Sequence, residues 1–362
     1  MAKCIYCLKD ETKTTFQSRE HVLPEFLGLY DPQTPVLRDC VCDLCNSIFS
    51  KLETKFREDT FEGILGQRLN FQNQNSITVR NKNFKITPLS KFRNQLFMRT
   101  FFLLKIENEK LVPDLRGHVT LKMKNGGYRV FLLESLSTLK KESSKFNKIK
   151  KDITKLSKED IWIFVSKKEA SIEQVKDILK NYGVTYNEKE RGSGDDISET
   201  VEIAENYDGT VDKDIVRVIA KICFNYLCYC AREDNQPNIL FHENFDSIRR
   251  FIYKGEGRPQ SFFSIDENRI LGEESGSNKN YLGHSICFGE ENGKLYFRIT
   301  LFGFQPYKLF LGDIPPELKH QLFGCAHIFD PLGKKIHNIA QNRQPIALDA
   351  LMLSFGLLKR FR

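Results

Sequence analysis

Apolar residues along this chain change their spacing from segment to segment, and each spacing predicts an element. Ile215, Val218, Ile219, Ile222, Cys223, Tyr226 and Cys230 recur at a helical period, which predicts a helix from about Asp212 to Arg232. Ile48, Phe49, Leu52 and Phe56 make one apolar helix face. Further helices are predicted at about 243–253, ending before Gly255 and Gly257, and at 91–106. Ser171 followed by Gln174 reads as a capping box for a helix closed by Gly183. Strands are predicted at 118–123 and 128–133, on either side of Asn125-Gly126-Gly127, and at 161–166. Two more hairpins follow, 284–304 turning at Asn292-Gly293 and 323–337 turning near Asp330-Pro331-Leu332-Gly333. Residues 187–199 and 268–280 read as loops, 137–160 as a mobile basic connector, and the polar stretch 71–77 as a seam between domains. No internal repeat is present at a fixed period.

The chain has 362 residues, 40% of them hydrophobic and 28% charged, which suits a globular protein and argues against global disorder. It has no run of 18 apolar residues, so no membrane contact is expected, and its start lacks an apolar signal core. A cytoplasmic location follows as the expectation, and with it an absence of structural disulfides. The ten cysteines then call for metal or burial. Cys223, Cys228 and Cys230 are candidate metal ligands by type, but Cys223 and Cys230 lie on the apolar stripe of the long helix, which favours core packing.

Charge is uneven. Residues 81–160 carry 19 Lys and Arg against 8 Asp and Glu, which accounts for the whole excess behind the net charge of +8. Such a segment fits either a solvated lysine face or a polyanionic partner. Its candidate phosphate contacts are Lys82, Lys85, Lys91, Arg93, Arg99 and the cluster Lys140, Lys141, Lys145, Lys148, Lys150 and Lys151.

The most specific chemistry lies at the N-terminus. Cys4-Ile5-Tyr6-Cys7 and Cys42-Asp43-Leu44-Cys45 are two CxxC knuckles, each able to hold two corners of a tetrahedral zinc ion. No thioredoxin-like βαβ pattern surrounds either pair, which favours structural zinc over redox chemistry. Cys40 is a rival to Cys42 with the poorer knuckle spacing. Between the knuckles a mostly polar strand from Phe16 ends at Glu20-His21, ahead of Pro24 and Gly28. An imidazole serves as a general base near neutral pH. Carboxylate and amide oxygens are hard donors suited to Mg²⁺ or Mn²⁺. A surface salt bridge with an exposed histidine is the competing reading of Glu20 and His21.

The run CIYC…SREHVLP…VCDLCNSIFSKLE resembles the zinc-containing HNH endonucleases, in the subgroup with EHxxP followed by CxxCN. The resemblance covers about residues 4–56. It implies a ββα-metal fold, with His21 as the general base, Glu20 as the acidic ligand of a catalytic ion, and Asn46 as the helix-borne ligand. The family's middle asparagine, which orients the base, has no clear counterpart among residues 34–41, where backbone near Pro35 or Val36 is the substitute. Glu53 is either a helper behind Asn46 or a surface carboxylate.

The expected fold is α+β, with a small zinc-stabilised domain at 1–75 and a larger mixed α+β domain at 76–362. The larger domain would hold substrate, dimerise or regulate. The expected function is a metal-dependent endonuclease acting on nucleic acid, DNA before RNA, with defence against foreign DNA as one role and a homodimer as one assembly. The alternative is a zinc-stabilised nucleic-acid-binding module that does not cut.

Overall fold

The computed structural model describes residues 2–80, 84–88, 103–164, 172–184, 205–265, 282–314 and 325–338, with short breaks inside these ranges. Helices and antiparallel sheets make it an α+β protein. Among the described residues the N-terminal part holds β1 (Glu20–His21), β2 (Val36–Leu37) and α1 (Asp43–Asp59). Next come α2 (Phe61–Leu69), β3 (Ser76–Val79), β4 (Phe84–Pro88), β5 (Leu103–Glu107) and β6 (Lys110–Asp114). They are followed by β7 (His118–Lys122), β8 (Tyr128–Leu132), α3 (Leu133–Thr138), α4 (Ser144–Ile153), β9 (Ile161–Phe164), α5 (Ile172–Asn181) and β10 (Glu205–Gly209). The last third holds α6 (Lys213–Glu233), α7 (Asp246–Lys254), β11 (Phe263–Ile265), β12 (His284–Glu291) and β13 (Lys294–Thr300). Then come β14 (Pro306–Asp313), β15 (Ala326–Asp330) and β16 (Lys335–Asn338).

These elements form two compact units, Met1–Arg57 with Val211–Arg362, and Glu58–Thr210. The seam expected at 71–77 falls inside the second unit.

The first unit is built round α6. A helix apolar on every side belongs in an interior, and α6 is buried from Ile215 to Ala231 with few breaks. Asp212 caps its start, its Oδ1 accepting from the backbone of Asp214 and Ile215 at 3.0 Å. Lys55 of α1 reaches Asp212 and Asp214 there. One side of α6 meets the N-terminal residues, through Phe224 against Tyr6 at 5.5 Å between ring centres. Another side meets the sheet β11-β14-β13-β12-β15-β16, through the Tyr226 ring edge-on to Phe288, Phe297 and Phe329. The N-terminal residues also touch the sheet directly. His284 Nε2 lies 2.7 Å from the Leu27 carbonyl, and a Cβ on Gly28, at φ 152°, would sit 2.7 Å from Pro331 Cβ. The hairpin β12–β13 turns at Asn292-Gly293, both at positive φ, as the sequence predicts.

The second unit holds the sheet β3-β8-β7-β9. Its core gathers Val119, Leu121 and Phe131 of the sheet with Phe146, Ile149 and Ile153 of α4 and Val175 and Leu179 of α5. The predicted hairpin 118–133 is present, turning with Gly126 at φ 83°. Two expectations are corrected here. The stretch 137–160 contains the helix α4, because Phe146, Ile149 and Ile153 fall at helical spacing among the lysines and bury together, with Ser143 as N-cap. Residues 103–106, expected as the end of a helix, lie in β5, whose backbone pairs antiparallel with β6. The remainder of the helix expected at 91–106, the Ser171 capping box, and the loops at 187–199 and 268–280 lie outside the described residues.

Candidate metal and catalytic site

The two knuckles meet as the spacing predicts. The sulfurs of Cys4, Cys7, Cys42 and Cys45 all lie within 4.8 Å of one another. Cys4 and Cys45 are 3.7 Å apart, Cys7 and Cys42 3.6 Å. A tetrahedron with Zn–S bonds of about 2.3 Å has edges of about 3.8 Å, so the thiols stand at zinc-binding separation. The Ile5 amide donates to the Cys40 carbonyl at 2.9 Å, stitching the first knuckle to the approach of the second. So many thiols at contact cannot all ionise without a cation. Hydrogen bonds from Cys4 and Cys45 push Cys7 down to about 2. At Cys4 the bond to Cys45 is outweighed by Cys7 and burial, and its thiol is pushed up to about 12. Cys40 stands apart from the four, its sulfur 3.0 Å from Arg232 Nη1. Cys223, Cys228 and Cys230 are buried in α6.

Asp43, opening α1, ties the chain before β1 to the second knuckle. Its carboxylate accepts from the Ser18 amide at 2.7 Å, the Gln17 amide at 3.0 Å and the Thr15 hydroxyl. The bonds from Ser18 and Thr15 hold its pKa down at about 2. The strand that follows is shorter than the sequence suggests, since only Glu20 and His21 pair, with Leu37 and Val36. Two strands and a helix, β1-β2-α1, form the ββα arrangement expected from the resemblance.

Glu20 and His21 leave the strand on different sides, Glu20 buried and His21 half-buried. His21 Nε2 is 3.4 Å from Glu25 Oε1. Burial lowers the His21 pKa, Glu25 opposes that and Lys221 adds to it, so the ring favours its neutral form. Asn46, in the first turn of α1, turns Nδ2 to the Arg19 carbonyl at 3.3 Å, beside Glu20, and leaves Oδ1 for another partner.

Glu20 meets two residues of α6. Its Oε1 takes the Lys221 ammonium and, at 2.9 Å, Asn225 Nδ2. Lys221 also pairs with Glu53, whose side chain is part-buried. Burial works against charge on Lys221, but Glu20 and Glu53 outweigh it and raise the lysine pKa. Burial raises the Glu20 pKa against the pull of Lys221. Both contacts fall on Oε1. Glu20 Oε2 and Asn46 Oδ1 are therefore the hard oxygens that fit a divalent ion in kind.

Sequence reasoning missed Lys221, Asn225, Tyr6 and Glu25. A signal for the first two was present: Lys221 and Asn225 are polar residues one helical turn apart inside an apolar helix.

The expected phosphate contacts divide. Lys145 and Lys148 project from the exposed side of α4, with Lys140, Lys141, Lys150 and Lys151 also exposed. Lys85 lies in β4, in register with Asp208 of β10. Lys82, Lys91, Arg93 and Arg99 lie outside the described residues. No helix among the described residues is long and apolar enough to cross a membrane.

Residues 4–61 match the family model described as HNH endonuclease. No curated protein and no solved structure matches the chain.

Proposed function

We propose, on the premise that residues 4–61 are an HNH-family domain, that the protein is a metal-dependent endonuclease of nucleic acid, with DNA the favoured substrate. The reading is supported by Glu20 and His21 at the paired end of β1, by the bond from Asn46 to the neighbouring Arg19 carbonyl, and by the four-thiol cluster and Asp43 that tie these segments together.

His21 is the general base. With Nε2 turned to Glu25, Nδ1 is the nitrogen that takes the proton from an attacking water, and Glu25 stabilises the imidazolium that results. Glu20 and Asn46 would hold a divalent ion, Mg²⁺ or Mn²⁺, which when bound would supply positive charge to the scissile phosphate and the departing oxygen. Water is the nucleophile, so no serine or cysteine is required. The zinc cluster has no part in the chemistry and fixes the residues that do. The lysine face of α4 suits a phosphate backbone, giving affinity without sequence choice.

One observation favours the second reading, a nucleic-acid-binding module that does not cut: Lys221 already sits against the Glu20 carboxylate. Supercoiled plasmid decides between them. Nicking or linearisation with Mg²⁺ or Mn²⁺, lost with EDTA and in His21→Ala, supports the endonuclease. Binding to plasmid and RNA with no cleavage of either supports the binder.

A further inference from the structure

Asn225 is completely buried, and its side chain is fully engaged. Nδ2 donates to Glu20 Oε1 at 2.9 Å and to the His21 carbonyl at 3.0 Å, while Oδ1 accepts from the Tyr6 hydroxyl at 2.6 Å. The orientation of the amide is forced. A carboxylate and a carbonyl accept only, so the donor end of the carboxamide must face them, and the hydroxyl serves the acceptor end. One turn earlier on the same helix, Lys221 Nζ lies 3.4 Å from the same His21 carbonyl. The backbone of His21 and the side chain of Glu20 are thus bound by the same two residues of α6. Tyr6, the third partner of Asn225, stands between the zinc-knuckle residues Cys4 and Cys7.

We propose that Asn225 is a positioning residue of the candidate site. It fixes the end of β1 from which Glu20 and His21 project. The inference rests on the reading of Glu20 and His21 given above, and it places part of the site's framework outside residues 4–61. A two-residue strand has little pairing of its own to set its position. The buried amide supplies fixed hydrogen bonds where the ladder has run out, and such buried bonds hold one geometry because breaking them strands a polar group.

The test compares full-length wild type with Asn225→Leu, Asn225→Ser and Tyr6→Phe. Tyr6→Phe removes the partner of Oδ1 and leaves both Nδ2 bonds in place. Loss of the amide lowers kcat on plasmid by about 10- to 100-fold with KM little changed, the scale of effect that misplacement of reacting groups produces. Zinc content is unchanged in the Asn225 variants. The ring NMR signals of His21 in protein free of added Mg²⁺ or Mn²⁺, at fixed pH, shift in the Asn225 variants and stay in place in Tyr6→Phe. A folded, zinc-loaded Asn225 variant with wild-type kcat and unmoved His21 signals overturns the proposal. So does a Tyr6→Phe effect on the His21 signals as large as that of Asn225→Leu. If wild type cleaves nothing, the endonuclease reading fails, and the His21 signals alone decide the role of Asn225, shifted supporting it and unshifted overturning it. If neither Asn225 variant folds, the amide protons of wild-type Asn225 decide. Two separate, slowly exchanging Nδ2 proton signals support the proposal, and rapid exchange of both overturns it.

Discussion

The Lys221 ammonium meets the Glu20 carboxylate with only 2% and 4% of the two side chains left exposed. Removing one partner of such a pair strands a charge in the interior, at a cost of about 3–5 kcal/mol. Lys221→Met should lose stability of that order in urea unfolding. The double variant Glu20→Gln/Lys221→Met should recover a substantial part of it, since the stranded carboxylate at position 20 is then gone. Strictly additive losses would show that the two side chains are not coupled.

His21→Ala should lower cleavage by about 10²- to 10⁴-fold, the usual worth of a positioned general base. Plasmid binding and zinc content should match wild type, because the His21 side chain holds neither. Wild-type cleavage by this variant would remove His21 from the mechanism.

Zinc added to metal-free protein should release protons, because the thiols must ionise to bind it. Cys42→Ser should bind zinc far more weakly and lose the ordered structure around the two knuckles, read as metal content and hydrogen exchange. A stable, fully loaded Cys42→Ser protein would reject Cys42 as a ligand.

Acid should destabilise the first unit through two buried histidines. His284 accepts the Phe302 amide on Nδ1 at 3.0 Å, and His327 Nδ1 faces the Tyr226 hydroxyl at 2.6 Å. Burial pushes both pKa values down to about 4, at His284 against its bond to the Leu27 carbonyl. The unfolded chain takes up these protons near pH 6.5 and the folded chain does not until about pH 4. The unfolded state therefore binds more protons between those values, and stability falls as pH falls across that window, by about 3 kcal/mol for each histidine. Urea unfolding from pH 7 to pH 4 should show the loss, and His327→Gln should show a visibly shallower one. Parallel pH curves for the two proteins would rule out His327 as a source.

If the outer side of α4 holds phosphates, Lys145→Gln/Lys148→Gln should bind plasmid more weakly. The slope of log affinity against log salt should fall by about 0.9 for each phosphate no longer neutralised. An unchanged slope would assign these lysines to solvent.

The elements that could be read from the sequence were those whose signal is local. The two CxxC knuckles, the helix after the second, the Asn292-Gly293 turn and the long helix α6 each advertise themselves within a few residues. The helix α4 was hidden because its three buried residues are outnumbered by lysines that face solvent. The partnership of α6 with β1 was hidden for another reason. Asn225 and Tyr6, or Lys221 and Glu20, are brought together by the packing of distant segments, and no pattern along the chain connects them. What could be seen was the oddity, two polar residues in a helix otherwise given over to the core.

Asn225 follows His21 by 204 positions. A ribosome adding about 5–20 residues per second needs on the order of 10–40 s to pass from one to the other. During that interval the emerging segment already carries its cysteines, Glu20 and His21, but α6 has not been made. On the roles proposed above, the order of synthesis separates possession of the site residues from their alignment. If the protein is the nuclease proposed above, a chain still on the ribosome would be its form least equipped to cut nucleic acid.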